Sequence, residues 1–146
     1  MAGVRTFGDW RRADRTLQSL ADRGLFTVMH KRIAEYGVSS TKARFQSETD
    51  PQGKRWIPSR RALEEGGKTL TLTARLKKSI SGKGTASKAA WWTNVIYAAR
   101  HNYGDLVVRG RRSGGMPRRQ IFGLSKDDHG EIREIVEGTL LEARGF

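Results

Sequence analysis

Apolar residues recur at helical spacing at both ends of the chain and lose that period in the middle. Trp10, Ala13, Leu17, Leu20 and Ala21 fall on one helical face, and Asp9 can cap that helix, which runs to about Asp22. Arg23-Gly24 interrupts it. A second helix is expected from about Leu25 to Glu48, with Val28, Met29, Ile33, Tyr36 and Phe45 as its apolar positions. Gly37-Val38-Ser39-Ser40 weakens its middle, because glycine costs about 1 kcal/mol there relative to alanine, so it should kink or break in two. Lys31, Arg32, Lys42 and Arg44 read as its solvated face. At the other end, Ser125 is followed by acid at the third helical position, the pattern of a capping box. A final amphipathic helix runs to about Ala143 with Ile132, Ile135, Val136, Leu140 and Ala143 on one face, and Gly145 suits its C-cap.

Between these helices the period shortens. Asp50-Pro51-Gln52-Gly53 is a turn signal, and Trp56 follows as a large aromatic returning toward the core. Ser59 to Gly67 predicts a short helical piece ended by two glycines. KTLTLT, residues 68–73, alternates and predicts a short strand. Residues 73–80 place Leu76 and Ile80 four apart on one helical face. Ser81 to Lys88 suits a hairpin tip, and Ala89 to Tyr97, rich in aromatic and β-branched residues from Trp91 on, predicts the returning strand. Tyr97 to Gly104 looks like a helical turn stopped by glycine. Asp105 to Val108 can form one more strand. The expectation is an α+β chain: a small antiparallel β-sheet flanked by N-terminal helices and a C-terminal amphipathic helix. It is read as one domain, with a helical region 1–48, a sheet region 49–124 and a C-terminal helix 125–146.

Charge changes the picture most. There are 28 Lys and Arg against 15 Asp and Glu, a formal net charge of +13 in 146 residues. Such an excess attracts polyanions, DNA above all, or an acidic protein partner. There is no cysteine, which excludes disulfides and thiolate metal sites. No apolar run approaches the roughly 20 residues that span a bilayer, and the first residues lack the apolar core of a signal peptide. With 36% hydrophobic residues, the chain suits a small domain with exposed segments or a subunit that completes its burial against neighbours.

No motif points to catalysis. His30, His101 and His129 lie far apart and fit no ligand spacing, and His101-Asn102 alone does not make a nuclease. Glu64-Glu65 and Asp127-Asp128 are adjacent pairs whose members point different ways on a helix. The glycines near Arg109 match no phosphate-cradling loop. No cofactor or metal is expected. The strongest signal is an exposed basic loop, 105–119, carrying Arg109, Arg111, Arg112, Arg118 and Arg119. It has no base-reading framework, so its contact is with backbone phosphate in a sequence-independent way, or with acidic residues of a neighbouring subunit. Trp56, Trp91, Trp92, Tyr97 and Phe122 are the candidate packing and interface aromatics. Successive strand residues face opposite sides, so one of Trp91 and Trp92 belongs to the core and the other to the surface.

Four blocks in order resemble the phage virion morphogenesis family, the phage tail completion proteins. They are Arg44-Phe45 with Asp50-Pro51, Gly53 and Trp56; Leu72-Thr73-Ala74-Arg75-Leu76 with Ser79-Ile80; Tyr97-Ala98 with His101 and Gly104; and Met116-Pro117-Arg118-Arg119 running into Phe122-Gly123-Leu124-Ser125. The resemblance covers roughly Arg44 to Leu140. Ala74 stands where the family usually has glycine, Arg118 where a small residue is usual, and Gln120 where a second proline is usual. The resemblance implies a structural virion protein without enzymatic activity. It implies a subunit of a ring, hexameric by resemblance, at the head-tail junction or tail end. Its partners would be the tail tube, connector or other neck proteins, with genomic DNA passing the lumen. The rival reading is a sequence-independent DNA-binding accessory protein, and a weaker one is a DNA-processing enzyme.

Overall fold

The computed structural model describes residues 10–22, 24–105 and 115–144. Its elements are the helices α1 (Trp10–Asp22), α2 (Leu25–Ser47), α3 (Arg60–Glu64) and α4 (Arg75–Lys78), the strands β1 (Ser81–Gly84) and β2 (Ala89–Trp92), then α5 (Ala98–Tyr103) and α6 (Lys126–Arg144). The fold is α+β, with a two-stranded antiparallel sheet against α2 and the long α6 on another side of the same helix. The expected cap at Asp9, the loose start at 1–8, the strand through Val108 and the cap at Gly145 lie outside the described residues.

The helix α2 runs unbroken through Gly37, where a kink or break was expected. The reason is a close approach. A Cβ at Gly37 would lie 2.5 Å from Cδ2 of Trp91, so the indole rests directly on the helix backbone. Burying that ring offsets the propensity cost of glycine. The hairpin uses the same device. A Cβ at Gly84 would lie 2.1 Å from the Lys31 nitrogen, and one at Gly82 would lie 2.8 Å from Cγ2 of Val38. Ser81–Gly84 is therefore a strand rather than the hairpin tip, because its glycines let its backbone lie on α2. The turn is confined to 85–88, closed by Thr85 N–H donating to Lys88 O at 2.8 Å. His30 Nδ1 meets Thr85 O at 2.7 Å and fastens that turn to α2. Gly82 pairs with Trp91 and Ser81 with Trp92 in the register.

One expected strand is absent and another is shortened, because side-chain oxygens compete for the backbone. In KTLTLT, Thr69 N–H donates to Glu48 Oε1 at 2.6 Å, Thr71 Oγ1 to Lys68 O at 2.9 Å, and Leu70 takes φ 62°. After Trp92, Thr93 Oγ1 accepts from Val95 N–H at 3.2 Å and meets Ser79 Oγ at 2.5 Å, so β2 ends at Trp92 instead of reaching Tyr97. The core gathers around Phe45, Trp56, Leu76, Ile80, Val95, Ala98 and Ile121. Phe45 and Trp56 meet edge to face, centroids 5.4 Å apart, and Trp56 Nε1 donates to Gln120 O at 3.0 Å.

Arg44, read from sequence as solvated, is buried. Its Nη2 donates to Asp128 Oδ2 at 2.5 Å and its Nη1 to Ile121 O at 2.8 Å. Asp128 also accepts from Tyr36 OH at 2.8 Å, Ser40 Oγ at 2.5 Å and Ser125 N–H at 2.7 Å. Its own N–H donates to Ser125 Oγ at 2.9 Å, completing the capping box at the start of α6. Arg32 continues the seam, reaching Thr139 Oγ1 at 3.1 Å and Glu142 Oε2 at 2.8 Å.

Burial alone would push the Asp128 carboxyl up, but the Ser125 N–H and the Ser40 and Tyr36 hydroxyls hold it well below its ordinary 3.8. A carboxyl depressed in the folded state adds stability that is complete above the unfolded value and lost as pH falls below it. Denaturant unfolding should therefore show stability falling below about pH 4. Asp128→Asn should cost about 3–5 kcal/mol at neutral pH, since it leaves Arg44 buried without its counter-charge, and should flatten that acid limb. A variant with an unchanged acid limb would remove Asp128 as its source.

Ala74 adopts φ 53° at the start of α4, at the position where the resembled family usually has glycine. A left-handed conformation costs a residue with a Cβ about 1 kcal/mol. Ala74→Gly should therefore raise the unfolding free energy by about 0.5–1 kcal/mol in the same assay.

Candidate interaction surface

The described ends of the basic loop are bonded to each other. Asp105 N–H donates to Met116 O at 3.1 Å, and Met116 N–H donates back to Asp105 Oδ2 at 3.0 Å. Arg100 grips the same carboxylate through Nε at 2.9 Å and Nη2 at 3.0 Å. The Met116 N–H first, and Arg100 next, hold the Asp105 carboxyl below its ordinary range. The sequence offered no signal for this clasp beyond an acid ending a glycine-stopped helix. Arg109, Arg111 and Arg112 themselves lie outside the described residues.

The two remaining loop arginines part company. Arg118 is exposed, with Nη2 donating to Gln120 Oε1 at 2.7 Å. Arg119 is buried; its Nε donates to Ile57 O at 2.6 Å and its Nη2 to Pro58 O at 3.2 Å. Its guanidinium braces the 57–58 segment, which corrects its place among the contact residues: a buried side chain bonded to two main-chain carbonyls is not open to a partner. Asn102 is a second internal brace that sequence reasoning passed over. Its Oδ1 accepts from both Ile121 N–H and Phe122 N–H at 2.9 Å, and its neighbour His101 accepts Arg119 N–H on its carbonyl at 2.7 Å. Burial, then the charges of Arg119 and Arg100, lower the His101 pKa from its ordinary value.

Of the aromatics, Trp56 lies in the core, Trp91 lies half-buried on Gly37, and Phe122 packs against the core edge. Trp92 is 47% exposed, so the pair divides between inside and outside. Tyr97 is also exposed and stands edge to face with His101, centroids 5.9 Å apart. Beside Trp92, Ile96 is 95% and Tyr103 68% exposed. With Val95, Ala99 and Phe122 they line an open apolar groove of about 280 Å³. Single exposed apolar residues are ordinary, but a contiguous strip of aromatic and branched side chains is a contact surface. Ile96 was missed in the sequence because the strand expected through Tyr97 would have buried half of its residues, and Tyr103 because nothing in a short glycine-stopped turn marks which side chain faces out.

Among the described residues no group of three His, Asp or Glu could hold a metal ion. Nor is any described helix long and apolar enough to cross a membrane. The site has the character of a docking face.

Comparison with known proteins gives the chain its family. A model of the phage virion morphogenesis family matches residues 8–141. Protein G of Escherichia phage Mu, named as a capsid assembly protein, is 30% identical over 141 residues, covering 88% of each chain. No solved structure matches.

The split between the two arginines can be measured. Arg119→Ala should lower the unfolding free energy by about 2 kcal/mol, the scale of hydrogen bonds lost from a buried charged group. Arg118→Ala should stay within about 0.5 kcal/mol of the parent. Equal effects in denaturant unfolding would contradict the placement of one inside and one outside.

Proposed function

The chain belongs to the phage virion morphogenesis family, and from that premise we propose that it completes or terminates the tail, or forms the neck, where tail and head join. Its work in building the particle is structural. As a subunit it assembles into a closed ring, hexameric by resemblance, on the tail tube or connector. The observation that carries the ring is the solvent-facing strip of Trp92, Ile96 and Tyr103 on a chain with a small core. A subunit that finishes its burial against copies of itself leaves such a strip when viewed alone. The phage Mu relative, named for capsid assembly, supports a place where capsid and tail meet.

The basic loop serves this reading in one of two ways, by contact with a neck partner or with DNA in the lumen. A formal charge of +13 also favours the second reading, a sequence-independent DNA-binding accessory protein. Light scattering of the purified protein at moderate salt, alone and with purified tails, separates them. A closed oligomer, or capture on tail ends, supports the junction role. A monomer that ignores tails and binds duplex DNA with a steep salt dependence supports the accessory role.

Reversing Arg109, Arg111, Arg112 and Arg118 to Glu should block head-tail joining while the circular dichroism and unfolding midpoint stay those of the parent. Normal infectious particles from that variant would sink the loop assignment.

A further inference from the structure

The charge of this chain is not spread evenly. The 39 residues 66–104 contain seven Lys or Arg and no Asp or Glu. They comprise α4, the hairpin, α5 and most of the apolar groove. The single helix α6 holds six of the chain's 15 carboxylates. Two of these, Asp128 and Glu142, bond toward α2. The others, Asp127, Glu131, Glu134 and Glu137, are exposed and follow one flank of the helix at spacings of three and four. Leu141, 65% exposed, continues that flank. Lys78, Lys83 and Lys88 are exposed on the other surface. Neither those four outer carboxylates nor these three lysines has an ion-pair partner among the described residues.

The two surfaces occupy different sides of α2. The helix α6 bonds to Arg32, Tyr36 and Ser40, whereas the hairpin rests on Ala34, Gly37 and Val38. Within one chain they are held apart by the helix both pack upon. Between copies they are complementary in charge, and each carries exposed apolar side chains.

We propose that the acidic flank of α6 on one copy docks against the basic hairpin face of the next, with Leu141 entering the groove of Trp92, Ile96 and Tyr103. The contact is heterologous, using two different patches, and contacts of that kind close into rings when the rotation permits. Opposite charge fixes partner and register, and the apolar groove supplies the desolvated centre. This inference rests on the reading of the chain as a ring subunit.

A charge swap tests it. Glu134→Lys with Glu137→Lys makes one variant, and Lys78→Glu with Lys83→Glu makes the other. All four positions are exposed and unpaired, so both variants should keep the parent's circular dichroism and unfolding midpoint. Each alone should weaken self-assembly, measured by light scattering on or off tails, by about tenfold or more, since like charges then face each other. Mixing the two variants one to one should restore assembly, because every interface then meets an opposite charge. Restoration on mixing is an outcome that a merely misfolded variant cannot give. If the parent assembles and both variants assemble equally well, the ring stands and this interface is overturned. If the parent stays monomeric alone and on tails, the ring reading itself falls and this interface with it. Assembly that appears only with duplex DNA, and responds to the lysine pair alone, overturns the second copy as occupant in favour of nucleic acid.

Discussion

The structure depends on one buried carboxylate. Asp128 sits in the first turn of α6 and takes hydrogen bonds from Tyr36, Ser40 and Arg44 on α2 as well as from Ser125 in its own capping box. A buried charge costs several kcal/mol unless its lone pairs are satisfied, and here four donors satisfy them. The cap that begins α6 and the contact that seats α6 on α2 are thus the same group. Arg44 extends the tie by donating to the Ile121 carbonyl, so the segment leading into α6 is held from the same point. Apolar packing alone could slide by a turn; a charged pair with fixed geometry cannot, and it sets the register of the two helices.

On another side of α2 the constraint is steric. Gly37, Gly82 and Gly84 remove side chains where the hairpin and helix touch, and the indole of Trp91 and the backbone of β1 occupy the vacated space. A sheet of two short strands has little stability of its own, and this one gains it by lying on a helix at backbone contact. The hairpin then positions Trp92 outward and leads directly into the segment that carries Ile96 and Tyr103. The exposed strip is therefore a consequence of how closely β1 and β2 are drawn onto α2.

Both ends of the chain were legible in the sequence, because helical period and the Ser125-Asp128 cap are local signals that tertiary contacts reinforced. The order of helix, turn, hairpin and final helix was legible too. What misled was alternation. KTLTLT has the strand period, yet Thr69 and Leu70 are drawn off by the Glu48 side chain and a left-handed turn. The break expected at Gly37 was a propensity argument, and a ring packed on that glycine from 54 residues away overrode it. The inward turn of Arg44 and Arg119 was illegible for a similar reason. Their partners, Asp128 and the Ile57 and Pro58 carbonyls, are remote in sequence, and nothing in a basic run marks which member will face inward. Trp91 and Trp92 were separable in kind, one in and one out, because adjacent strand positions must face opposite ways.

These internal assignments change what the net charge means. Arg44 is paired with Asp128 and Arg100 with Asp105, so these two lend little to the outer field, and the Arg119 guanidinium is spent on bracing the fold. Two exposed groups stand out: lysines on the hairpin face, in a stretch of sequence without an acid, and carboxylates along the outer flank of α6. A uniformly basic protein repels its copies, and the repulsion grows with charge. A basic protein that also presents a row of acids along one helix has one face on which its copies attract it. The same helix that spends Asp128 inward to seat itself on α2 thereby holds its remaining acids outward in a fixed row, and the rigidity of that seat makes the row usable for recognition.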